Sequence, residues 1–261
     1  QPDEVLIRVK AAGICGTDIG IYKGYRDVPD GLVPGHEFVG EIVKLGDLVK
    51  DYKIGDIVSP GIIINCGVCR PCRNGFEAQC ENLLEYGIHI NGAFADYVAA
   101  RANTLHTLPK NCSPVVGASI EPVAVALNIV KKISGMCLNK NVVVFGPGPI
   151  GLYTIQLLKE MGFANVIMVG TRESRLKIAR DLGAATINIR EEDLINSIER
   201  ILGKHEVDVI IEATGSSDVL NYIFKILGPQ GQLVLAGVFH ELASIDLVPF
   251  VRNENRITSA F

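Results

Sequence analysis

Residues 141–151 of this chain, NVVVFGPGPIG, decide the fold of its second half. The apolar and mainly β-branched run NVVVF predicts a buried strand, and helical spacing begins directly after the glycines. Gly146 allows a tight turn, Gly148 lets a pyrophosphate approach the backbone, and Gly151 permits close packing of the following helix. A strand, this glycine pattern and a helix in that order predict a dinucleotide site, with the phosphates at the helix N-terminus.

The segments beyond this motif continue the alternation of strand and helix. Helices are expected from about 149 to 161 and from about 172 to 182, and the apolar strands NVIMVG, VDVIIEAT and GQLVLAG continue the series. Strands that are apolar throughout are typical of a parallel sheet with helices on both faces. The second half is therefore predicted to be a doubly wound α/β domain.

The first half of the chain has a different pattern. Short alternating strands broken by Gly and Pro, such as EVLIRVKAAG, EFVGEIVKLG, DIVSPGIII and FADYVAA, predict a mainly β domain over residues 1–110. Residues 113–137 are apolar at helical spacing, which fits one or two linking helices. We expect two domains, 1–122 and 123–261.

The composition excludes several classes of protein. The 261 residues carry 25 Lys and Arg against 29 Asp and Glu, a net charge of −4, and 48% of them are hydrophobic. Because no basic cluster is present, nucleic acid is not an expected partner, and no apolar stretch approaches the ~20 residues that span a bilayer. Small molecules are the expected partners. Seven cysteines without a signal peptide indicate a reducing compartment, the cytoplasm.

Four of the cysteines lie within fifteen residues. Cys66, Cys69, Cys72 and Cys80 follow the spacing C-x2-C-x2-C-x7-C. Four thiolates can surround a tetrahedral zinc ion and leave no open position for a substrate, so this pattern predicts a structural zinc site. An iron–sulfur cluster and a pair of disulfides are the alternatives.

A second set of possible metal ligands is dispersed. Cys15 lies in ICGTD, and His36 precedes Glu37 in PGHEF. A thiolate, an imidazole and a carboxylate form a mixed set typical of catalytic zinc, although each residue could also be an ordinary buried or turn residue. Glu121 is the only acid in the apolar stretch 113–137, where a carboxylate is costly unless something pairs with it.

Taken together, these motifs resemble the zinc-dependent medium-chain dehydrogenase/reductase family, closest to its sorbitol and polyol dehydrogenase branch. The segment GHEFVGEIVKLGDLV fits the family's zinc alcohol dehydrogenase pattern at every fixed position, and the cysteine lobe, GAFADYV, IEPVAVAL and the glycine motif follow in order. The resemblance covers the whole chain. It implies a β-rich, GroES-like catalytic domain and a Rossmann domain, with substrate and cofactor meeting between them. Relatives return to the catalytic domain after the Rossmann strands, and this chain is expected to end before that return.

The resemblance also implies a set of catalytic zinc ligands. Cys15 and His36 match family ligands, and Glu37 matches the acid beside the histidine. Glu121 matches the glutamate that polyol dehydrogenases carry in an IEP context where classical alcohol dehydrogenases have a second cysteine. A metal would compensate the burial of that carboxylate.

Two further residues of ICGTD match family positions. Thr17 matches the hydroxyl that binds the substrate oxygen and passes on its proton, and Asp18 matches the carboxylate that orients the zinc histidine. Many relatives continue the proton path through a nearby histidine, but here the sequence IGIYKGY has Gly20 and no histidine. His89 precedes GAFADYV, where relatives shape the cleft, and its position favours a histidine of a surface loop.

The loop after NVIMV bears on the choice of nucleotide. An NAD site has an acid about 20 positions beyond the glycines, and the alignment places Gly170 there. Thr171, Arg172 and Arg175 offer a hydroxyl and two guanidinium groups to a 2′-phosphate, although Glu173 lies beside them. NADP is therefore expected, with NAD possible, and an aspartate at 170 is expected to favour NAD. The residues predicted to bind the cofactor are Gly146, Gly148, Pro149, Ile150, Gly151, Gly170, Thr171, Arg172, Arg175, Thr214, Gly215, Gly237 and Val238.

The predicted activity is the reversible oxidation of a secondary alcohol, a polyol or sugar-like molecule, by NADP in an enzyme with two zinc ions per chain. Threonine or glucose dehydrogenase of the same family is one alternative, and a non-catalytic NADP-binding protein is an alternative of another class. The family resemblance implies a homo-oligomer, a dimer or tetramer. No partner pattern surrounds the remaining candidates Cys112, Cys137, His106, His205 and His240.

Overall fold

The computed structural model describes residues 1–135 and 139–261, so Cys137 lies outside the described residues. The chain divides into two compact units, Gln1–Glu121 and Pro122–Phe261. Across the described ranges, no helix combines the length and the apolar character that crossing a bilayer requires.

The first unit is built on an antiparallel sheet of five strands in the order β6-β1-β2-β3-β7, beside a two-stranded sheet of β4 and β5. Its strands are β1 (Glu4–Gly13), β2 (Glu37–Leu45), β3 (Ile57–Pro60), β4 (Ile63–Ile64), β5 (Leu84–Glu85), β6 (Tyr97–Arg101) and β7 (Leu105–Thr107). Its helices are α1 (Gly16–Tyr22), α2 (Arg70–Arg73) and α3 (Pro114–Ala118), with short 3₁₀ turns at Glu77–Gln79 and Ala102–Thr104.

The pairing of β1 with β2 positions the dispersed set of candidate ligands. The register places Gly13, at the end of β1, opposite Glu37, at the start of β2. Cys15 follows β1 by two residues and precedes α1, and His36 directly precedes β2. Residues that are twenty-one positions apart in sequence therefore meet at one end of a strand pair.

The second unit contains a parallel sheet of six strands in the order β10-β9-β8-β11-β12-β13. Its strands are β8 (Asn141–Phe145), β9 (Asn165–Gly170), β10 (Ala185–Asn188), β11 (Val207–Glu212), β12 (Leu227–Leu235) and β13 (Arg256–Ser259). Its helices are α4 (Ile120–Lys131, which begins just before the division), α5 (Pro149–Glu160), α6 (Glu173–Asp181), α7 (Leu194–Leu202), α8 (Ser217–Ile226) and α9 (Leu247–Arg252). Numbered from β8, the order is 3-2-1-4-5-6, the doubly wound arrangement of dinucleotide-binding domains.

The apolar strands of this sheet are buried on both faces. Val142 and Val144 of β8 belong to one apolar cluster, whereas Val143 and Phe145 belong to a second cluster on the opposite face. This alternation explains why β8 is apolar at every position after Asn141, since each face is covered by its own layer of helices. The predicted α/β fold, with a β-rich unit and a parallel-sheet unit, is confirmed.

Candidate functional site

Cys15, His36 and Glu37 converge on one place in the first unit. Each offers one ligand atom, and these three atoms all lie within 4.8 Å of one another. His36 is buried, and Cys15 and Glu37 are half-buried. A thiol, an imidazole and a carboxylate at this spacing can share one metal ion.

Gly13 makes room for the carboxylate of Glu37. A Cβ at position 13 would collide with Oε2 of Glu37 and would lie 3.2 Å from its Cβ. Because Gly13 and Glu37 are cross-strand partners, the glutamate side chain extends across the bare backbone of β1. The glycine thus leaves room for the carboxylate of Glu37, whose ligand atom lies within 4.8 Å of the sulfur of Cys15.

Asp18 ties together the two segments that carry these residues. Its Oδ2 accepts a hydrogen bond from the backbone N–H of Cys15 at 2.8 Å, and its Oδ1 accepts one from Gly35 at 3.2 Å. The same Oδ1 lies 3.7 Å from Nδ1 of His36. A single buried carboxylate therefore fixes the backbone beside both Cys15 and His36.

The surroundings of the site oppose the charged forms of its acids. Burial raises the pKa of Cys15, and the negative charges of Glu37 and Asp18 add to this, whereas the amide and hydroxyl of Thr17 lower it by hydrogen bonding. Burial likewise raises the pKa of Glu37, while His36 and the hydrogen bond with Cys15 lower it. Thr17 thus favours the thiolate form of the candidate ligand Cys15.

The donor set fits a metal ion. Nδ1 of His36 is a buried polar atom without a hydrogen-bond partner among the described residues. Such an atom is costly in a protein interior, and so are two half-buried acids, Cys15 and Glu37, whose pKa values are raised by burial. A divalent cation among the three ligands would offset the cost of burying the two acids, since it favours the deprotonated thiol and carboxylate.

Glu121 lies near this group but is not part of it. The three ligand atoms that fall within 4.8 Å of one another do not include a carboxylate oxygen of Glu121 among the described residues. Burial, together with the negative charges of Glu37 and Glu85, raises the pKa of Glu121 to about 7. The structure thus places this carboxylate within electrostatic reach of Glu37.

His89 belongs to a small ionic cluster in the same unit. Oε2 of the buried Glu85 lies 3.5 Å from Nδ1 of His89 and 3.5 Å from a guanidinium nitrogen of Arg26. The loop that follows β5 packs on the segment before His36, because Gly92 donates to Val33 at 2.7 Å and Ala93 donates to Gly35 at 2.8 Å. His89 is exposed, as expected for a histidine of a surface loop, and its imidazole faces the carboxylate of Glu85.

The four cysteines of the local motif also converge. Their sulfur atoms lie within 4.8 Å of one another, and the sulfur of Cys69 lies 3.3 Å from that of Cys72 and 3.9 Å from that of Cys80. These distances exceed an S–S bond of about 2.05 Å. They bracket the separation of about 3.8 Å that four sulfurs have around a tetrahedral zinc with Zn–S bonds of about 2.3 Å.

Two of these thiols, Cys66 and Cys72, have pKa values shifted in opposite directions. Hydrogen bonds from the backbone of Val68 and Cys69 lower the pKa of Cys66 to about 6. Burial and the neighbouring Cys69 raise the pKa of Cys72 to about 12. Four thiolates at this spacing repel one another unless a cation lies among them, so the cluster fits a structural metal ion.

The glycine motif after β8 has the geometry that its sequence predicts. Gly146 has a φ of 102°, which a residue with a side chain rarely adopts, and a Cβ at Gly151 would collide with the carbonyl oxygen of Gly146. At Gly148 no atom of the described chain lies within 4 Å of where a Cβ would be, so the backbone there is open to a ligand. Gly148 is also the N-cap of α5, whose first turn contains Pro149 and Ile150.

The loops after β11 and β12 meet this motif at the point where the strand order reverses. A Cβ at Gly146 would lie 2.9 Å from the carbonyl oxygen of Ala213. The fully buried carboxylate of Glu212 accepts hydrogen bonds from the N–H of Thr214 at 2.6 Å and from that of Gly215 at 3.1 Å. A Cβ at Gly215 would collide with the carbonyl oxygen of Val238, and one at Gly237 would lie 2.5 Å from Oε2 of Glu212.

The loop after β9 presents positive charge. Arg172 is exposed and forms the N-cap of α6, and neither it nor Arg175 has a carboxylate partner within 4.0 Å in the part of the chain that the structure describes. Glu173, which could have opposed them, is paired with Arg180 of the same helix. The positive field at the start of α6 is therefore less weakened by Glu173 than the sequence alone indicated.

Sequence reasoning missed several residues that support the candidate metal and dinucleotide sites. Gly13, Glu85 and Glu212 act through contacts with residues that are distant in sequence or through burial. A signal was available for Glu212, because a carboxylate at the end of an apolar strand is costly without hydrogen-bond partners. No comparable signal existed for Gly13, since its partner is set by the register of β1 and β2.

Comparison with known proteins places these two units in one family. Residues 1–110 match the family described as the alcohol dehydrogenase GroES-like domain, and residues 149–261 match the family described as zinc-binding dehydrogenase. The chain is 36% identical to an L-threonine 3-dehydrogenase of Caldanaerobacter subterraneus subsp. tengcongensis, over 94% of this chain and 72% of that protein. It is 35% identical to a D-arabitol-phosphate dehydrogenase of Enterococcus avium, over 97% of this chain and 73% of that protein.

Solved structures agree with these matches. A protein of Sinorhizobium meliloti 1021, described as a zinc-binding dehydrogenase bound to NADP, has a TM-score of 0.95 and 32% identity, and the match covers 100% of this chain and 77% of that one. The galactitol-1-phosphate dehydrogenase of Escherichia coli has a TM-score of 0.92 and 29% identity over 100% of this chain and 76% of that one. This chain belongs to the zinc-binding dehydrogenases of the alcohol dehydrogenase family, and it is an oxidoreductase that acts on alcohols.

Proposed function

We propose that this enzyme oxidises a secondary alcohol, a polyol or a sugar-like molecule, reversibly and with NADP, at a zinc ion held by Cys15 and His36. The observation that carries the proposal is the convergence of the ligand atoms of Cys15, His36 and Glu37 within 4.8 Å. Glu37 and Glu121 are the candidates for the next ligand. The raised pKa of Glu121 favours a role close to the metal, because a bound cation would compensate its buried charge.

The proposed preference for NADP rests on the loop after β9. Gly170 offers no carboxylate to a ribose hydroxyl, and Thr171, Arg172 and Arg175 supply donors for a phosphate. The pairing of Glu173 with Arg180 supports this, since it reduces the negative field beside the two arginines. The S. meliloti relative is described as bound to NADP, which agrees with the proposal.

The residues of the chain have distinct proposed roles in the reaction. When bound, zinc would lower the pKa of the alcohol, and the nicotinamide would take the hydride from its carbinol carbon. Thr17 accepts the proton of the alcohol through its hydroxyl and releases it towards solvent. Asp18 holds the backbone of Cys15 and Gly35, so the ligands keep their geometry during the reaction. Glu212 keeps the Thr214–Gly215 turn in place beside the glycine motif.

The remaining proposals concern the second zinc ion, the two domains, the cellular location and the oligomeric state. The four cysteines hold a second zinc ion that stabilises the lobe of residues 66–80, residues 1–122 form the catalytic domain and residues 123–261 form the dinucleotide domain. Unpaired cysteine thiols support a reducing, cytoplasmic location. A homo-oligomer, a dimer or tetramer, is proposed from the family alone.

Two substrate classes compete within this function. Polyol phosphates are the substrates named for two relatives, D-arabitol-phosphate and galactitol-1-phosphate dehydrogenases. L-Threonine is named for several others at 31–36% identity. Both are secondary alcohols that carry an ionised group, and initial rates with polyols, polyol phosphates and L-threonine at saturating NADP or NAD would separate them.

The substitution Glu121→Gln tests the ligand assignment. If Glu121 binds the metal, we expect about a tenfold or greater fall in zinc affinity at the catalytic site, measured by competition with a chelator. The matched control is Glu85→Gln, which removes a neighbouring carboxylate that contacts Arg26 and His89. Equal zinc affinity in Glu121→Gln and the wild type would make Glu37, rather than Glu121, the third protein ligand of the zinc ion. If neither NADP nor NAD supported oxidation of any alcohol by zinc-loaded protein, the proposed function would be wrong.

A further inference from the structure

Position 170 has no room for a side chain. Gly170 ends β9 and is buried, and a Cβ built on it would lie 2.5 Å from Cγ and 2.6 Å from Cδ of Pro147. The next atom is Cδ2 of Leu176, at 3.4 Å, which is an ordinary contact. Removing the two ring atoms of Pro147 would therefore remove the obstruction.

The ring of Pro147 cannot turn away as a flexible side chain would. Its Cδ is bonded to the backbone nitrogen, so displacing the ring requires a shift of the backbone. That backbone follows Gly146, whose φ is 102° and which packs on Ala213 and Thr214, and it precedes the open Gly148. Relief of a collision at 170 would thus move the turn that faces the pyrophosphate.

We infer that Pro147 determines nucleotide selectivity together with Gly170, because its ring keeps that position free of the acid that a ribose 2′-hydroxyl would require. The inference rests on the proposed preference for NADP. The glycine at 170 is then a consequence of proline at 147 as well as an adaptation to a 2′-phosphate. Selectivity belongs to the pair of residues, and neither one alone can be exchanged to reverse it.

This inference changes the outcome expected for an aspartate at position 170. Gly170→Asp alone introduces the Cβ into the proline ring and displaces the glycine turn, so it weakens binding of both nucleotides. The preference for NAD is expected only when Pro147 is also replaced by a smaller residue. Pro147→Ala removes Cγ and Cδ, the two atoms that obstruct.

The steric step is tested without any cofactor. The unfolding temperature of the nucleotide-free full chain is measured for Gly170→Ala in three backgrounds: wild type, Pro147→Ala and Pro149→Ala. We expect Gly170→Ala to lower it by about 4–10 °C in the wild type, as overpacking does, and by less than about 2 °C in the Pro147→Ala background. Pro149→Ala is the matched control, a second proline of the same motif that is not among the atoms obstructing position 170, and there the full decrease should remain.

The selectivity step is tested by binding. The Kd values for NADP and NAD are measured by titration calorimetry for the wild type, Gly170→Asp, Pro147→Ala and Pro147→Ala/Gly170→Asp. We expect the double variant to shift the ratio of the two Kd values towards NAD by about tenfold or more relative to Pro147→Ala. Gly170→Asp alone should weaken both nucleotides without that shift.

The outcomes separate the inference from the proposed function. An equal loss of stability from Gly170→Ala in all three backgrounds would overturn the steric role of Pro147. A stability difference as expected, with no change of selectivity in the double variant, would overturn its role in nucleotide choice. A wild type that binds NAD more tightly than NADP would refute the proposed cofactor preference, whereas the stability comparison would still stand.

Discussion

The two candidate metal sites of this chain are built in opposite ways. The cysteine lobe takes its four ligands from residues 66–80, with a short helix and a 3₁₀ turn between them. The second group takes Cys15 from the end of β1 and His36 with Glu37 from the start of β2. The ligands of the first site are therefore brought together by a short local segment, whereas those of the second are positioned by the pairing of β1 with β2.

The supporting contacts differ accordingly. In the lobe, the thiols contact one another and nearby backbone groups, such as the N–H of Asn82, which donates to Cys80 at 3.3 Å. At the dispersed site, Gly13 leaves room for Glu37, and Asp18 bonds the backbone of both Cys15 and Gly35. Loss of a ligand should consequently affect stability at the lobe and chemistry at the dispersed site.

The largest expected effect is on activity, from Cys15→Ser. A serine hydroxyl is a poor zinc ligand at neutral pH, and loss of several kcal/mol of transition-state stabilisation lowers kcat/KM by about a thousandfold or more. Zinc content should fall from two ions per chain to one, and the unfolding temperature should change little. Steady-state rates and elemental analysis measure these quantities.

Cys112→Ser is the control for this substitution. Cys112 is a half-buried cysteine that belongs to neither metal group. It should keep the zinc content and the rate of the wild type. Full zinc content and activity in Cys15→Ser would contradict the assignment of the catalytic site.

The next effect is on stability, from Cys80→Ser. Because a structural zinc ion contributes its binding energy to folding, its loss should lower the unfolding temperature by about 10 °C. Zinc content should again fall by one ion per chain, while kcat/KM of the folded protein falls less than about tenfold. Calorimetry gives the unfolding temperature and steady-state kinetics give kcat/KM, and both are compared between Cys80→Ser and Cys15→Ser. An unchanged unfolding temperature in Cys80→Ser would argue against a structural role for the four-cysteine site.

The smallest expected effect comes from Asp18→Asn. This change keeps the size of the side chain but removes the charge that faces Cys15, Gly35 and His36. We expect a fall of about 10- to 100-fold in zinc affinity or in activity, as is typical of residues that support metal ligands. Asp27→Asn, an exposed aspartate a few residues further on, should have no effect. If the two variants behaved alike, the hydrogen bonds that Asp18 accepts from Cys15 and Gly35 would have no role in function.

The fold could be predicted in large part because its patterns are local. The strand EVLIRVKAAG corresponds to β1, and the helix expected from about 149 corresponds to α5, which ends at Glu160. The stretch DIVSPGIII forms two strands, β3 and β4, because the segment after Pro60 leaves the large sheet and pairs with β5 instead. Alternation and helical spacing report burial on one face, but they do not report which strand becomes the partner.

The candidate site was predictable to the extent that its residues are reactive. Cysteine, histidine and glutamate at motif spacing point to a metal, and glycines at motif spacing point to a phosphate, because few other roles need those residues together. Gly13 and Pro147 escaped notice because neither has chemistry of its own. Each matters only through the volume that it leaves free or fills beside a residue more than twenty positions away.

The sequence by itself determined the classes of structure and chemistry: a β-rich unit, a doubly wound α/β unit, a four-thiol metal site and a dinucleotide turn. These follow from periodicity and from ligand spacing, which are properties of short segments. Only the tertiary structure decided that Glu37 reaches Cys15 across Gly13, that Asp18 holds both segments, and that Pro147 closes position 170. Those contacts depend on strand register and on distances of a few ångströms between distant parts of the chain, which local sequence patterns do not encode.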